Sequence, residues 1–580
     1  MKARDRFRIW LADEDGAIRK PWGGRWRIAL AFPNRYAVAM SNLGFQTVYV
    51  RLNEIPGLVC ERVFFPEPED LDTADTGAAA LVSIESQHPL RDFDLVAFSI
   101  SFENDFENAV RMLHLAAIPV RSEARRPTDP WIAAGGVAVF LNPEPLARFM
   151  DFFFIGEAEP LLPDFRLALE SLHGSNLPRL EQLQHLARAC PGLYVPSLYQ
   201  VRYRADGTID AVEPEAGVPY PVPARKADLT DAPVCRSSIL TPNTEFSRVS
   251  LLEIGRGCGR GCRFCAAGYV YRPPRNVAAA RLLAAAVPCL DRSDRLGLVS
   301  AAVSDHPEIT RICEQLTDLG AALSFSSIRA DTLNPAVVLA LASGHHRAIA
   351  IAPEAGSERL RRVINKHLSQ DQILAAAEQL AAAGILNLKL YLMIGLPTET
   401  LDDLEAMIDL IKKVRHHVLL KSRGRRRMGT ITLSLNAFVP KPFTPFQWVP
   451  FAGVQTLKER ARWIKKALGK VANVRVHFDL PKWAYIQALL SRGDRRTADF
   501  LEAVAGGQYS WVQALKSSPH NPDFWVLRER RRDERFPWEI IDHGISRQFL
   551  WEEYERALDA RESPVCLPAT GCRRCGVCRP

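Results

Sequence analysis

No stretch of this 580-residue chain approaches the roughly 20 uninterrupted apolar residues that span a bilayer. On sequence grounds that excludes a helical membrane protein. The start, MKARDRFRIWLADEDG, has basic residues but no apolar core ahead of its acidic run. The pattern of a secretory leader is missing, and the cytoplasm is the expected compartment. Internal repeats are also lacking, and so is a strong charge of one sign. The net +8 is mild for the length; it permits nucleic acid or an anionic substrate without demanding either. Cysteine, by contrast, is not scarce. There are 12, and because disulfides are rare in the cytoplasm the number calls for chemistry. Three fall in one short loop and four in the last fifteen residues. The other five (Cys60, Cys190, Cys235, Cys289, Cys313) are scattered, as small buried apolar side chains are.

A single hydrophobic core stops growing at about 250–300 residues, so more than one domain is expected. Residues 1–175 alternate apolar strands (27–32, 59–65, 94–99, 131–134, 152–155) with helical stretches such as 41–53. That alternation predicts a parallel, doubly wound sheet with its ligand beyond the carboxyl ends of the strands. Residues 176–245 are less regular, include the Pro-rich VPYPVPARKADLTDAPV, and read as a linker with some packed structure. A second α/β run occupies 246–470. In it, Ser369 with Gln372 makes a capping box, Gly384 ends that helix, and Thr400 caps the next. Its strands at 386–394 and 430–438 carry one polar face (Asn387, Lys389, Tyr391; Thr432, Ser434, Asn436). Such strands suit a barrel with a polar ligand inside, or a sheet edge. The remainder, 471–580, is aromatic, Arg-rich and largely helical by pattern, with cysteines at its end.

The most informative segment is SLLEIGRGCGRGCRFCAAG, in which a strand runs into a glycine-rich loop carrying Cys258-x3-Cys262-x2-Cys265. Cubane iron–sulfur clusters are usually held by four cysteines. Three leave one iron with open positions, which the amino and carboxylate groups of S-adenosylmethionine can fill. One electron then breaks a carbon–sulfur bond of the sulfonium. Zinc usually takes four ligands in paired short spacings, and a thioredoxin-like site needs only two cysteines, so both fit the triplet poorly. The glycines at 255, 257, 259 and 261 let the loop fold tightly.

The spacing, the strand before it, the glycines and Phe264 ahead of the third cysteine closely resemble the radical S-adenosylmethionine (radical SAM) superfamily. The resemblance implies a partial (β/α) barrel, a [4Fe–4S] cluster at the top of its first strand, and cleavage of S-adenosylmethionine to a 5′-deoxyadenosyl radical. It also implies a reductant such as flavodoxin or ferredoxin. By position it suggests Phe264 beside the adenine, with Ser304, Ser326, Arg329, Glu354, Gly395 and Pro397 at later strand ends touching the cofactor. The alternative for each is a structural strand-end role. The usual Gly-Gly-Glu is replaced by Ser304-Asp305 in LVSAAVSD.

Upstream, GGVAVFLNPEPLARFMDFFFIGEAEP resembles the end of the cobalamin-binding domain that precedes many radical SAM barrels. The resemblance points to Gly135 and Gly136, where the backbone could approach a flat ring, and to Pro143-Glu144 and the 156–159 run. The loop that supplies a cobalt ligand elsewhere here reads FPNRYAVAMSNLG, without histidine. A cobalamin site, a degenerate fold used as a substrate platform and a methylthiotransferase-like domain all remain open. MSNLGFQTVY, FVPKPFTPFQW, FPWEIIDHGIS and the cysteine-rich end extend the likeness, to a subgroup of this superfamily, over nearly the whole chain.

The tail reads Cys566-x5-Cys572-x2-Cys575-x2-Cys578. Four thiols so close suit a second [4Fe–4S] cluster or a structural zinc, with redox or unligated thiols as the other reading. The runs at 421–427 and 528–535 could meet RNA phosphates, or be a solvated loop and a charged helix face. The expected whole is α/β: a doubly wound N-terminal domain, a partial radical SAM barrel and a mainly helical C-terminal region. The expected enzyme modifies an unknown substrate, by cobalamin-dependent methyl transfer or by cobalamin-free chemistry such as sulfur insertion. A non-catalytic iron–sulfur RNA-binding factor is the reading from another class.

Overall fold

The computed structural model describes residues 2–71, 81–172, 174–325, 328–344, 348–422, 429–567 and 571–578. Among these, no helix is long and apolar enough to cross a membrane.

The N-terminal sheet is built from β1 (Trp26–Phe32), β2 (Leu58–Phe64), β3 (Leu95–Ser99), β4 (Trp131–Gly135), β5 (Phe152–Phe154) and β6 (Leu193–Tyr194), in the order β2-β1-β3-β4-β5-β6. The first five are parallel and β6 is antiparallel to β5. β2 is buried along its whole length, and β1, β3 and β4 nearly so, as expected of parallel strands covered on both faces. Helices α1 (Leu43–Glu54) and α2 (Ala158–Leu172) cover one face. Asn42 caps α1 by accepting from the Phe45 N–H at 2.9 Å. The order reverses between β1 and β3, and at such a switch point the loops diverge and leave a crevice. β6 lies inside the stretch read from sequence as a linker; a two-residue strand has too little periodicity to announce itself.

The second run forms two parallel sheets. β7 (Ser250–Glu253), β8 (Arg295–Val299) and β9 (Ala322–Phe325) make the first. β10 (Ile349–Glu354), β11 (Leu388–Ile394), β12 (Ile431–Ala437) and β13 (Val474–Phe478) make the second. A parallel bridge between Ile328 and Ile351 joins them. Among the described residues β13 pairs with β12 alone, so the barrel is partial and open on that side. Its last strand falls beyond residue 470, in the part whose pattern reads as helical.

The alternation in β11 and β12 keeps its predicted sense. Leu388, Ile431, Leu390, Leu433, Leu392 and Leu435 are buried. They face the surrounding helices, among them α3 (Leu401–Lys421), α4 (Val454–Leu468) and α5 (Pro481–Arg492). The opposite face sets Lys389 beside Thr432 and Arg475, and Tyr391 beside Ser434 and His477, across three strands. The predicted capping box forms at Ser369 with Gln372, and the next helix starts at Thr400 as expected, where the Thr400 N–H donates to Asp403 at 2.9 Å. The chain ends with α6 (Arg547–Leu558) and the cysteine tail.

Candidate active site

The three loop cysteines follow β7. Cys262 is buried, and Cys258 and Cys265 are partly so. Among the described residues no three Cys, His, Asp or Glu side chains converge on one point as a finished metal site, but the thiols are electrostatic neighbours. Burial, then the sulfurs of Cys262 and Cys258, push the Cys265 thiol up to about 12. Burial raises Cys258 as well. Backbone N–H groups oppose this, that of Arg260 toward Cys258 and those of Ala267 and Gly268 toward Cys265. One buried and two partly buried sulfurs, the latter two facing backbone N–H donors, suit a thiolate-ligated cluster, whose binding releases the protons that burial retains.

The loop is held from three sides. First, Gly255–Arg256 pairs antiparallel with Arg275–Asn276. The Arg256 guanidinium bonds Glu157 at 2.6 Å, Glu159 at 2.9 Å and Glu253 at 2.7 Å, and Arg275 takes the other Glu157 oxygen at 2.6 Å. Burial lowers the Arg256 pKa and its carboxylate partners raise it; the partners prevail. The 156–159 run picked out by resemblance is therefore a lock between the N-terminal domain and the cluster loop. Second, the turn after the 358–363 helix grips the loop: Asn365 Nδ2 donates to the Gly261 carbonyl at 3.1 Å, and fully buried Arg263 donates to the Arg362 and Val363 carbonyls at 3.0 and 2.9 Å. Third, the C-terminal tail lies on it. Arg263 also reaches the Arg561 carbonyl at 2.7 Å, and the Cys566 N–H donates to the Gly259 carbonyl at 2.6 Å. A Cβ at Gly259 would stand 2.5 Å from the Cys566 oxygen, so this crossing admits only glycine.

Several residues singled out by position gather around this loop. Asp305 pairs with Arg260 at 2.6 Å, and Arg260 also reaches Asp331 at 3.2 Å. Arg329 pairs with Asp331 at 3.0 Å and donates to the Lys366 carbonyl at 2.9 Å. Lys366 Nζ lies 3.5 Å from Glu354, whose backbone is left-handed at φ +68°. Ser304 bonds the Thr332 hydroxyl. Phe264 is partly buried against the core. Gly395 and Pro397 stand apart from this network: the Gly395 N–H donates to Glu399 at 3.0 Å, and Glu399 is tied to Arg460 at 2.5 Å. Ser326 lies outside the described residues. Arg260, Asp331, Asn365 and Lys366 carry no motif and were not picked out; only the pairing of distant strand ends reveals them.

Above the switch point of the N-terminal sheet lies a cavity of about 910 Å³. One wall is the sheet face with α1 and α2, including Leu30, Ala97, Leu43 and Phe165; the other is the barrel, including Gly257, Tyr271 and Gly297. Gly135 and Gly136 line it. Gly136 has φ +104°, and a Cβ there would meet the Ile100 carbonyl at 2.4 Å, so the chain's own crossing already requires this glycine. Among the described lining residues there is no histidine. Pro143-Glu144 plays a different part: Glu144 is buried and accepts from Arg495 at 2.9 Å, which fastens the C-terminal region to the first domain.

The tail cysteines interact as well. Burial raises Cys566 and Cys578, and the other tail sulfurs raise them further, while Arg272 lowers both. Cys575 is buried, and its carbonyl accepts from Ser546 N–H at 2.8 Å. Sulfurs paired with a nearby guanidinium suit an anionic thiolate centre. The 528–535 run is divided: Arg530 is buried 4.9 Å over Trp538 and Arg528 pairs with Glu534 at 2.6 Å, while Arg531, Arg532 and Arg535 are exposed. Most of the 421–427 run lies outside the described residues.

A partial parallel barrel whose first strand delivers three cysteines, with a doubly wound domain locked onto that loop, defines a cluster-dependent enzyme. Residues 252–411 match the family described as Radical SAM superfamily, and residues 44–196 match Radical SAM proteins, N-terminal. The protein belongs to the radical SAM enzymes. An uncharacterized protein of Methanocaldococcus jannaschii is 28% identical over 491 residues, 84% of this chain and 93% of that one. The tRNA-2-methylthio-N(6)-dimethylallyladenosine synthase of Sorangium cellulosum is 26% identical over 246 residues, 37% of this chain and 48% of that one. Among solved structures, the radical S-adenosylmethionine methyltransferase TsrM of Kitasatospora setae, with cobalamin and a [4Fe–4S] cluster bound, superposes with a TM-score of 0.47 at 12% identity, covering 75% of each chain.

Proposed function

We propose that this radical SAM enzyme transfers a methyl group to an unactivated carbon with the help of a corrinoid held in the cavity between its two domains. Cys258, Cys262 and Cys265 would hold the [4Fe–4S] cluster, which when bound supplies the electron that cleaves S-adenosylmethionine. The single observation behind the corrinoid is the cavity itself. It is about 910 Å³, mainly apolar, placed at the sheet's switch point, and it continues to Gly255–Gly257 immediately before Cys258. A large flat ring resting on Gly135 and Gly136 would thus share one space with the cluster loop. The flanking network of Arg260, Asp305, Arg329 and Asp331 positions charge for the polar end of S-adenosylmethionine.

The tail supports an accessory assignment. Cys566 touches the first loop through its hydrogen bond to Gly259, and with Cys572, Cys575 and Cys578 it would hold a second [4Fe–4S] cluster, or zinc. A reductant of the flavodoxin or ferredoxin type would supply the electrons in the cytoplasm.

The test is anaerobic reconstitution with iron, sulfide and hydroxocobalamin, followed by desalting and by optical and mass measurement of bound corrinoid. About one corrinoid per chain is expected, with Ala97→Trp filling the cavity, abolishing retention and leaving iron content unchanged. No retention in the wild type, or equal retention in Ala97→Trp, removes the corrinoid and leaves cobalamin-free chemistry such as sulfur insertion. Lack of 5′-deoxyadenosine from reduced protein with S-adenosylmethionine would remove the catalytic reading altogether.

A further inference from the structure

Among the described residues many cations are paired with carboxylates, as Arg256, Arg260 and Arg528 illustrate. One face departs from that habit. From Val454 to Trp483 the chain holds eight Lys or Arg and two Asp or Glu, a balance of +6 against +8 for the whole protein. This stretch is α4, β13 and the start of α5, the open flank of the barrel. Arg462, Lys465, Lys466, Lys470, Arg475 and Lys482 are all exposed. Among the described residues none of the six is paired with a carboxylate, whereas Arg460, on another face of α4, is taken by Glu399.

Two indole rings stand among them, Trp463 at 36% and Trp483 at 42% exposure, with Lys482 Nζ 5.1 Å from the Trp483 centroid. Exposed tryptophans are costly in water and serve as stacking platforms where bases lie beside a charged backbone. The placement adds a direction. Val474, Val476 and Phe478 face the helices, so the alternation of β13 turns Arg475 and His477 to the barrel's interior side, in the rows of Thr432 and Ser434. The cationic track therefore runs over α4, which is 15 residues or about 22 Å long, around the unpaired edge of β13 and into the barrel mouth.

From this geometry we infer that the α4–β13–α5 face binds a single-stranded polynucleotide and guides it to the barrel's open side. The inference rests on the radical SAM reading for its meaning as a substrate track, but binding can be measured without turnover. A polyanion with unstacked bases matches both the unpaired cations and the two indoles; an acidic protein would use the cations and leave the indoles idle.

The experiment is fluorescence anisotropy with the full-length reconstituted protein and labelled oligouridylate and oligothymidylate strands over a range of salt. Binding of at least one strand is expected to weaken steeply with salt. Arg462→Ala/Lys465→Ala/Lys466→Ala/Lys470→Ala should lower the log–log salt slope by up to about 3, since each phosphate contact on a single strand contributes about 0.7. Trp483→Ala should weaken binding about tenfold with the slope unchanged. Removing four exposed cations elsewhere (Lys2, Arg4, Arg19, Arg91) should change affinity far less. Iron content and 5′-deoxyadenosine formation without nucleic acid should match wild type in every variant, which separates failure of the face from failure of the enzyme. No binding of either strand at low salt, an unchanged slope in the quadruple variant, or loss of flavodoxin binding in place of oligonucleotide binding overturns the inference.

Discussion

Arg256→Ala tests whether the N-terminal domain and the cluster loop act as one unit. The guanidinium, 14% exposed, faces Glu157, Glu159 and Glu253, whose side chains are 5%, 13% and 18% exposed. After truncation Glu157 keeps Arg275 at 2.6 Å. Glu159 keeps its backbone N–H and the Cys235 thiol, 3.6 Å away, but no cation, and Glu253 loses its cation. Removing one partner of a buried pair costs about 3–5 kcal/mol, because the remaining charge is desolvated without compensation. The pH dependence has a definite sign. Burial raises the Glu159 carboxyl, the Arg256 hydrogen bonds and charge lower it, and they prevail, leaving it below its ordinary range. In the wild type that pair contributes stability which is present above the ordinary carboxyl value and lost as pH falls. In the variant no cation offsets burial, the carboxyl rises, and the deficit is largest at pH 8 and smaller at pH 5. Differential scanning calorimetry at the two pH values, with iron analysis after reconstitution, reads both consequences. Arg256→Lys should fall between, since one ammonium cannot serve three carboxylates in a fixed fork. A melting profile equal to wild type, or a larger deficit at pH 5, would falsify the lock.

Cys262→Ser should abolish the cubane absorbance of the first site, whereas buried Cys313→Ala should leave it unchanged; Cys575→Ser should halve total iron, from about eight to about four per chain, as read by colorimetric iron assay. His543 is buried, its Nε2–H donates to the Phe140 carbonyl at 2.8 Å, and burial lowers its pKa to about 3. Its neutral form therefore stabilises the fold above pH 6.5, and about 2 kcal/mol is lost by pH 5; chemical denaturation at the two pH values should show that slope, and His543→Gln should flatten it. Gly136→Ala places a methyl 2.4 Å from the Ile100 carbonyl on a left-handed backbone. It should lower the melting temperature and reduce corrinoid retention together, and loss of neither would show that the crossing can yield.

Chemistry written in contiguous residues was legible from the chain alone. The Cys258–Cys262–Cys265 spacing puts three thiols in one short glycine-rich loop, which is what the proposed cluster would need. The Ser369 capping box, the Thr400 helix start and the alternation in 386–394 and 430–438 are likewise local, and the structure repeats them. Tertiary structure decided what depends on pairing between distant segments. Glu157 and Glu159 entered only as part of a run resembling the end of a cobalamin-binding domain; folding sets Arg256 and Arg275 on them and also places them in the cavity wall. Arg528–Arg535 read either as a phosphate-facing run or as a charged helix face, and folding buries Arg530 and pairs Arg528 with Glu534 while Arg531, Arg532 and Arg535 stay exposed; the exposed cations of α4 and β13 passed unnoticed because single-residue charge says nothing about missing partners. The cavity, too, belongs to neither domain's sequence; it exists because a switch point in one sheet faces the first strands of another. A chain determines its local geometry through torsions and hydrogen bonds within a few residues, whereas burial and charge pairing are sums over neighbours that only folding brings together.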